Sequence, residues 1–203
     1  MEYFKFERKA SLDAILAGVS GFLYAVSFVI ISRNDPVQGA LLSALFLTLL
    51  GFLAVKVFVR LYLMLKRVDE GWALWAFIFA LAGAIGTAIH GGFDLANAIN
   101  PPATGLPAGI PNPIDPRGLL TFGAAGVALI TFSWLMGREK LFPQGLRLLG
   151  YLSGVLLLVL YLGRLIVLNP ADPIILYPVL INGFVANPLW YLWLGWHLWN
   201  KKS

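Results

Sequence analysis

Six apolar runs, near positions 12–31, 37–65, 72–95, 119–136, 146–167 and 174–198, leave this chain few ways to fold. A helix rises 1.5 Å per residue, so about 20 residues cross the hydrocarbon layer of a bilayer. Each run is near or above that length. The expected fold class is all-α: a polytopic membrane protein whose 203 residues form one domain, a bundle of six transmembrane helices arranged as three helical hairpins. Composition points the same way, because charged residues make up 12% of the chain against about 25% in soluble domains. The mean hydropathy is +0.80.

An even number of crossings puts both termini on one side, and the basic residues indicate which side. Lys5, Arg8, Lys9, Arg60, Lys66, Arg67, Arg138, Lys140, Arg147, Lys201 and Lys202 fall on the terminal side of the expected layout. Arg33, Arg117 and Arg164 fall on the other. Cytoplasmic loops are enriched in Lys and Arg, so the expected location is the cell membrane, multi-pass, with cytoplasmic N- and C-termini. Trp72, Trp75, Trp134, Trp196 and Trp199 gather near that same interface, where amphipathic rings anchor. The net charge of +5 is thereby explained by membrane orientation, and no nucleic-acid partner is expected.

Asp-Pro precedes the second, fourth and sixth runs, at Asp35-Pro36, Asp115-Pro116 and Asp172-Pro173. The Asp carboxylate can accept the free amide hydrogens of a first helical turn, and proline has no N–H to leave unsatisfied there. These three helices are expected to start alike. The connection 96–118 is the long one, and its prolines between Asn100 and Arg117 disfavour a regular helix. It is expected to fold over the outer ends of the third and fourth helices, as a packed connector or a lid. Gly18, Gly21, Gly123 and Gly126 suit either internal packing or a dimer face.

The third run carries the densest polar set. His90, Asp94 and Asn97 are spaced four and then three apart, which puts them on one helical stripe. An ionisable group in a spanning segment costs roughly 2.5–3.5 kcal/mol on insertion scales, so Asp94 calls for a partner. Arg164, near the outer end of the fifth helix, and Asn182, two turns into the sixth, fall at comparable depth. Two arrangements follow. In one, His90, Asp94, Asn97, Arg164 and Asn182 converge on a small outer-leaflet pocket for a lipid headgroup or a small molecule. In the other, Asp94 and Arg164 form an ion pair that locks helix to helix. A second set, Asp13, Lys56 and Arg60, reads as snorkelling cations with Asp13 as partner.

Several activities are argued against. The chain has no cysteine, which removes disulfides, thiolate metal sites, Fe–S clusters and thiol nucleophiles. A bis-histidine haem needs two imidazoles at one depth, whereas His90 and His197 are expected on opposite sides. His90 with Asp94 gives two ligands where catalytic zinc takes three. No nucleotide-binding loop, serine-hydrolase elbow or zinc-protease motif occurs. No cofactor, metal or catalytic residue is therefore expected.

The stretch Leu141-Phe142-Pro143-Gln144-Gly145-Leu146-Arg147-Leu148-Leu149-Gly150-Tyr151-Leu152-Ser153-Gly154, followed by a last helix ending Trp193-Leu194-Gly195-Trp196-His197-Leu198, resembles a broad group of bacterial six-helix integral membrane proteins. The resemblance implies the six-helix architecture and carries no activity with it. The expected function is a non-enzymatic accessory or lipid- and ligand-binding component. Its expected partners are membrane lipids, a small-molecule ligand, other membrane subunits or a second copy of the chain. The alternative is a small transporter or channel using the same polar face. An intramembrane lipid-modifying enzyme, with His90 and Asp94 as an acid and base pair, is the third reading.

Overall fold

The computed structural model describes residues 2–102, 112–138, 142–167, 169 and 171–200, with side chains from Lys9 onward. Every regular element among the described residues is helical. Among the described residues, six helices are long and apolar enough to cross a membrane: α1 (Lys9–Asn34), α2 (Pro36–Leu65), α3 (Glu70–Ile99), α4 (Pro116–Arg138), α5 (Gln144–Ile166) and α6 (Pro173–Asn200). Their outer surfaces are apolar, with Phe52, Ile78 and Leu162 more than half exposed. In water that surface would be costly; in a bilayer it meets acyl chains.

Each helix packs on its neighbours in sequence, and α6 returns to pack on α1, so the six form a closed ring in chain order. Small residues set the spacing. Gly51 of α2 lies against the backbone of Ala84 and Ala88 in α3, and Gly126 of α4 lies against the carbonyl of Gly154 in α5. Between α1 and α6, Gly18 meets Leu192 and the Pro188 carbonyl, while Gly195 meets Ser11 and Ile15. Gly21 lines the space inside the ring, Gly126 packs against α5, and Gly123 lies beside the Tyr161 ring at a recess that opens outward.

The contact of Ser11 with Gly195 puts the start of α1 and the end of α6 at one face, here the terminal face. Trp72, Trp75 and Trp134 cluster there, with ring centroids 5.6 Å apart for Trp72–Trp75 and for Trp72–Trp134. Arg138 stacks on Trp134 and pairs with Asp69 at 3.1 Å. Asp69 also caps α3, accepting from Trp72 N–H at 3.2 Å, a cap the sequence reading did not anticipate. Lys56 Nζ lies 3.1 Å from Asp13 Oδ2, as the snorkelling reading expected.

Two of the three Asp-Pro starts behave alike. Asp35 accepts from Gln38 N–H and Asp172 from Ile174 N–H, each at 3.0 Å. Asp115 does not follow them. A tight turn, Pro116–Gly118, comes between it and the regular helix, with Arg117 and Gly118 both left-handed at φ 66° and 77°. The carboxylate therefore reaches past that turn to the amides of Leu120 and Thr121. Helix α3 runs to Ile99 and α4 starts at Pro116, so the connection is shorter than expected. Its residues 103–111, and with them the packed-connector or lid expectation, lie outside the described residues, as do Lys140, Leu141, Lys201, Lys202 and the side chains of Lys5 and Arg8.

Besides Pro178 inside α6, the described helices contain three π-helical turns, in which an amide bonds the carbonyl five residues back. Ser32 N–H reaches Ser27 O in α1, Ala125 N–H reaches Leu120 O in α4, and Asn187 N–H reaches Asn182 O in α6. Such turns place an extra residue on one face of a helix and recur at functional sites. Those of α4 and α6 contribute Thr121, Phe122, Asn182 and Gly183 to the space inside the ring.

Candidate functional site

At the far face, the α3 stripe meets the segment leading into α4. His90 Nε2 lies 3.4 Å from Asp94 Oδ2, one helical turn along, and His90 Nδ1 lies 3.7 Å from Asp115 Oδ2. Asn112 closes the set: its Nδ2 donates to Asp94 Oδ1 at 2.7 Å, and its Oδ1 accepts from Ile114 N–H at 2.8 Å and Asp115 N–H at 3.1 Å. Local sequence explains the second pair of bonds. An Asn side chain naturally mimics a turn by bonding amides two and three residues on, and Pro113 fixes the backbone between. The imidazole is thus held between two carboxylates from different parts of the chain.

Asp115 is buried outside the spanning segments, which alone would raise its pKa. The adjacent His90 imidazole and hydrogen bonds from the amides of Leu120 and Thr121 outweigh that burial and bring it from 3.8 down to about 2. It is a permanent anion at neutral pH.

Below this cover lies a partly open cavity of about 100 Å³ inside the ring, with room for about three waters or a chemical group of that size. All of the helices contribute to it. Most of its wall is apolar, but Tyr24, Thr87, Thr121, Asn182 and Asn187 supply hydroxyls and amides. Ser153 stands behind them, donating to Asn182 Oδ1 at 2.8 Å and accepting from Asn187 Nδ2 at 3.1 Å. Thr121 connects the two levels: it lines the cavity, and its Oγ1 is 3.4 Å from His90 Nδ1. Toward the terminal face the cavity ends on an aromatic floor. Phe58 stacks on Phe132 at 5.9 Å between centroids and abuts Tyr191 and Trp190, all of them buried. A second recess, of about 450 Å³ between α3, α4 and α5, opens outward and is lined by apolar atoms alone.

The structure regroups the expected site residues. His90 and Asp94 come together as expected. Asn97 continues their stripe, and its Nδ2 is buried with no hydrogen-bond partner among the described residues. Asn182 belongs to the cavity wall instead, with Ser153 and Asn187. Arg164 forms no ion pair with Asp94: Asn112 and His90 occupy that carboxylate, and the guanidinium lies over the Phe122 ring, 5.4 Å from its centroid. The helix-locking alternative therefore does not describe the molecule. Sequence reading missed Asn112, Thr121 and the cavity-lining hydroxyls, and it took Asp115 for an ordinary cap. The one available signal was the Asn-Pro-Ile-Asp order at 112–115, two turn-forming acceptors three residues apart.

The ring nitrogens of His90 face the carboxylate oxygens of Asp94 and Asp115, and Nδ1 also faces Thr121 Oγ1. The amides of Leu120 and Thr121 are taken up by Asp115. Among the described residues, no group of His and acidic side chains has metal-site geometry. No protein-family model, curated protein or solved structure matches this chain.

Proposed function

We propose that this membrane protein is a binding component: it holds a small molecule in the cavity inside its ring of helices without transforming it. The observation that carries this reading is the concentration of Tyr24, Thr87, Thr121, Asn182 and Asn187 around a mid-bundle cavity whose wall is otherwise mostly hydrocarbon. Ligand sites have that composition, a mostly apolar enclosure with a few placed polar groups. The aromatic floor supports holding over conduction, and the His90 assembly covers the far side. The terminal face is assigned to the cytoplasm, on the strength of its basic residues.

Native mass spectrometry of the full chain, extracted in mild detergent, tests the reading. A bound species of fixed mass is expected, and Ala54→Leu, which fills the cavity from α2, should remove it without loss of the folded protein. An empty native chain, or retention of the species in Ala54→Leu, would rule the reading out.

One observation favours transport as a second reading. The helices are interrupted at the cavity by π turns in α4 and α6, and interrupted helices let a bundle rearrange around a fixed site. That reading requires the floor at Phe58 and Phe132 to part. Uptake of the bound species into liposomes, abolished by Ala54→Leu, would establish it; binding with no uptake would leave a holding protein.

A further inference from the structure

Arg164 is a cation inside a spanning helix, where such groups are normally paired. It has no carboxylate partner among the described residues, and 103–111, 168 and 170 contain no acidic residue that could supply one. The carboxylates at its end of the bundle are engaged elsewhere: Asp94 with Asn112 and His90, Asp115 with His90 and two amides, Asp35 and Asp172 as helix caps. The charged groups close enough to act on Arg164 are Arg117 and, more weakly, Asp115. Arg117 thus adds a second positive charge on the same side.

The position of the guanidinium matters as much as its charge. It sits over the ring of Phe122, which lines the cavity. On α5 it lies one turn beyond Leu160 and two beyond Leu157, both buried in the bundle, so it is on the inward face. A guanidinium is built to receive a planar or tetrahedral oxyanion through paired N–H donors. We propose that the cavity holds the head end of an anionic amphiphile, whose carboxylate or phosphate docks on Arg164 while the carbons next to it enter the cavity and the rest of its apolar part stays in the surrounding hydrocarbon. This rests on the binding reading above. The anion can come from a soluble small molecule or from a bilayer lipid; the recognition chemistry is the same.

The test uses the full chain in a neutral detergent, with melting followed by tryptophan fluorescence against sodium octanoate and octanamide, which share a tail and differ in charge. Octanoate should bind about tenfold or more tightly than octanamide. Arg164→Gln should erase that difference while still binding octanamide, and Arg164→Lys should keep part of it. Nanodiscs of phosphatidylglycerol or phosphatidylcholine identify the source: if phosphatidylglycerol alone stabilises the native chain, does not stabilise Arg164→Gln and blocks octanoate, the anion is a lipid headgroup. If octanoate acts without competition, it is a soluble amphiphile. Equal binding of the two probes by the native chain overturns the anionic proposal and leaves the cavity reading standing. Preference for octanoate that persists in both Arg164 variants also overturns it. Binding of neither probe overturns it too, and the cavity reading then falls only if the native chain is also empty by mass spectrometry.

Discussion

Asn112 Nδ2 donates to Asp94 Oδ1 at 2.7 Å, joining the segment before α4 to the far end of α3 through one buried amide. The same side chain accepts two backbone amides, so it is both a turn and a tie. Asn112→Ala should cost about 1–3 kcal/mol, the scale of a hydrogen bond to a charged group. Amide exchange at 112–118 should quicken with it. Unchanged melting and exchange would show that the tie does not hold the cover in place.

Asp115 gives a pH signature with a definite sign. Its folded pKa, about 2, lies below the unfolded value of 3.8. The stabilisation it contributes is therefore complete above about pH 4 and is lost as pH falls toward 2, roughly 2 kcal/mol in all. Asp115→Asn should be less stable at neutral pH and should lose less on acidification. Melting curves between pH 2 and 7 would decide it; parallel acid losses in both proteins contradict the assignment.

The ion pair of Lys56 with Asp13 is unequal in burial, its side chains being 54% and 10% exposed. Asp13 Oδ2 receives no well-directed hydrogen bond, so the contact is an ion pair only. Removing the exposed cation strands the buried carboxylate, whereas removing the carboxylate leaves a lysine that can extend to the headgroups. Lys56→Met should therefore cost about 2–4 kcal/mol and Asp13→Asn about 0–1 kcal/mol. Equal losses would mean that the two charges share one environment.

Two adjacent glycines should respond oppositely to alanine. A methyl at Gly91 would meet Thr48 N at 2.5 Å and Ala44 O at 2.9 Å, whereas one at Gly92 meets nothing within 4 Å. Gly91→Ala should destabilise by about 1–3 kcal/mol by forcing α2 and α3 apart. Gly92→Ala should stabilise by up to about 1 kcal/mol, since it adds only helix propensity. Thermal shifts of the two variants under identical detergent conditions check both signs.

The fold was legible in the sequence because hydrocarbon thickness sets helix length directly, and the boundaries of α2 and α5 fall within two residues of expectation. Half of the site was legible for an equally simple reason: His90 and Asp94 lie one turn apart on one helix, so spacing alone brings them together. The cavity was not legible. Its polar groups come from different helices, and which faces turn inward depends on ring order and on π turns that no periodicity announces. The Asp94–Arg164 pair failed for a related reason. Equal depth is necessary for contact but does not fix rotation about the helix axis, and Asn112, in a loop, reached the carboxylate instead.

The extra residue in each π turn makes these turns places where chain length can change harmlessly. Deleting an amino acid elsewhere in a spanning helix swings everything beyond it by about 100°, one residue's share of a turn, and scrambles the lipid-facing and inward-facing sides. A deletion within Asn182–Ala186 lets the segment relax to ordinary α geometry with both flanks still in phase. Shortened there, the chain would assemble the same ring and lose only the local bulge that presents Asn182 and Gly183, separating what the polypeptide needs for insertion from what it needs for its task.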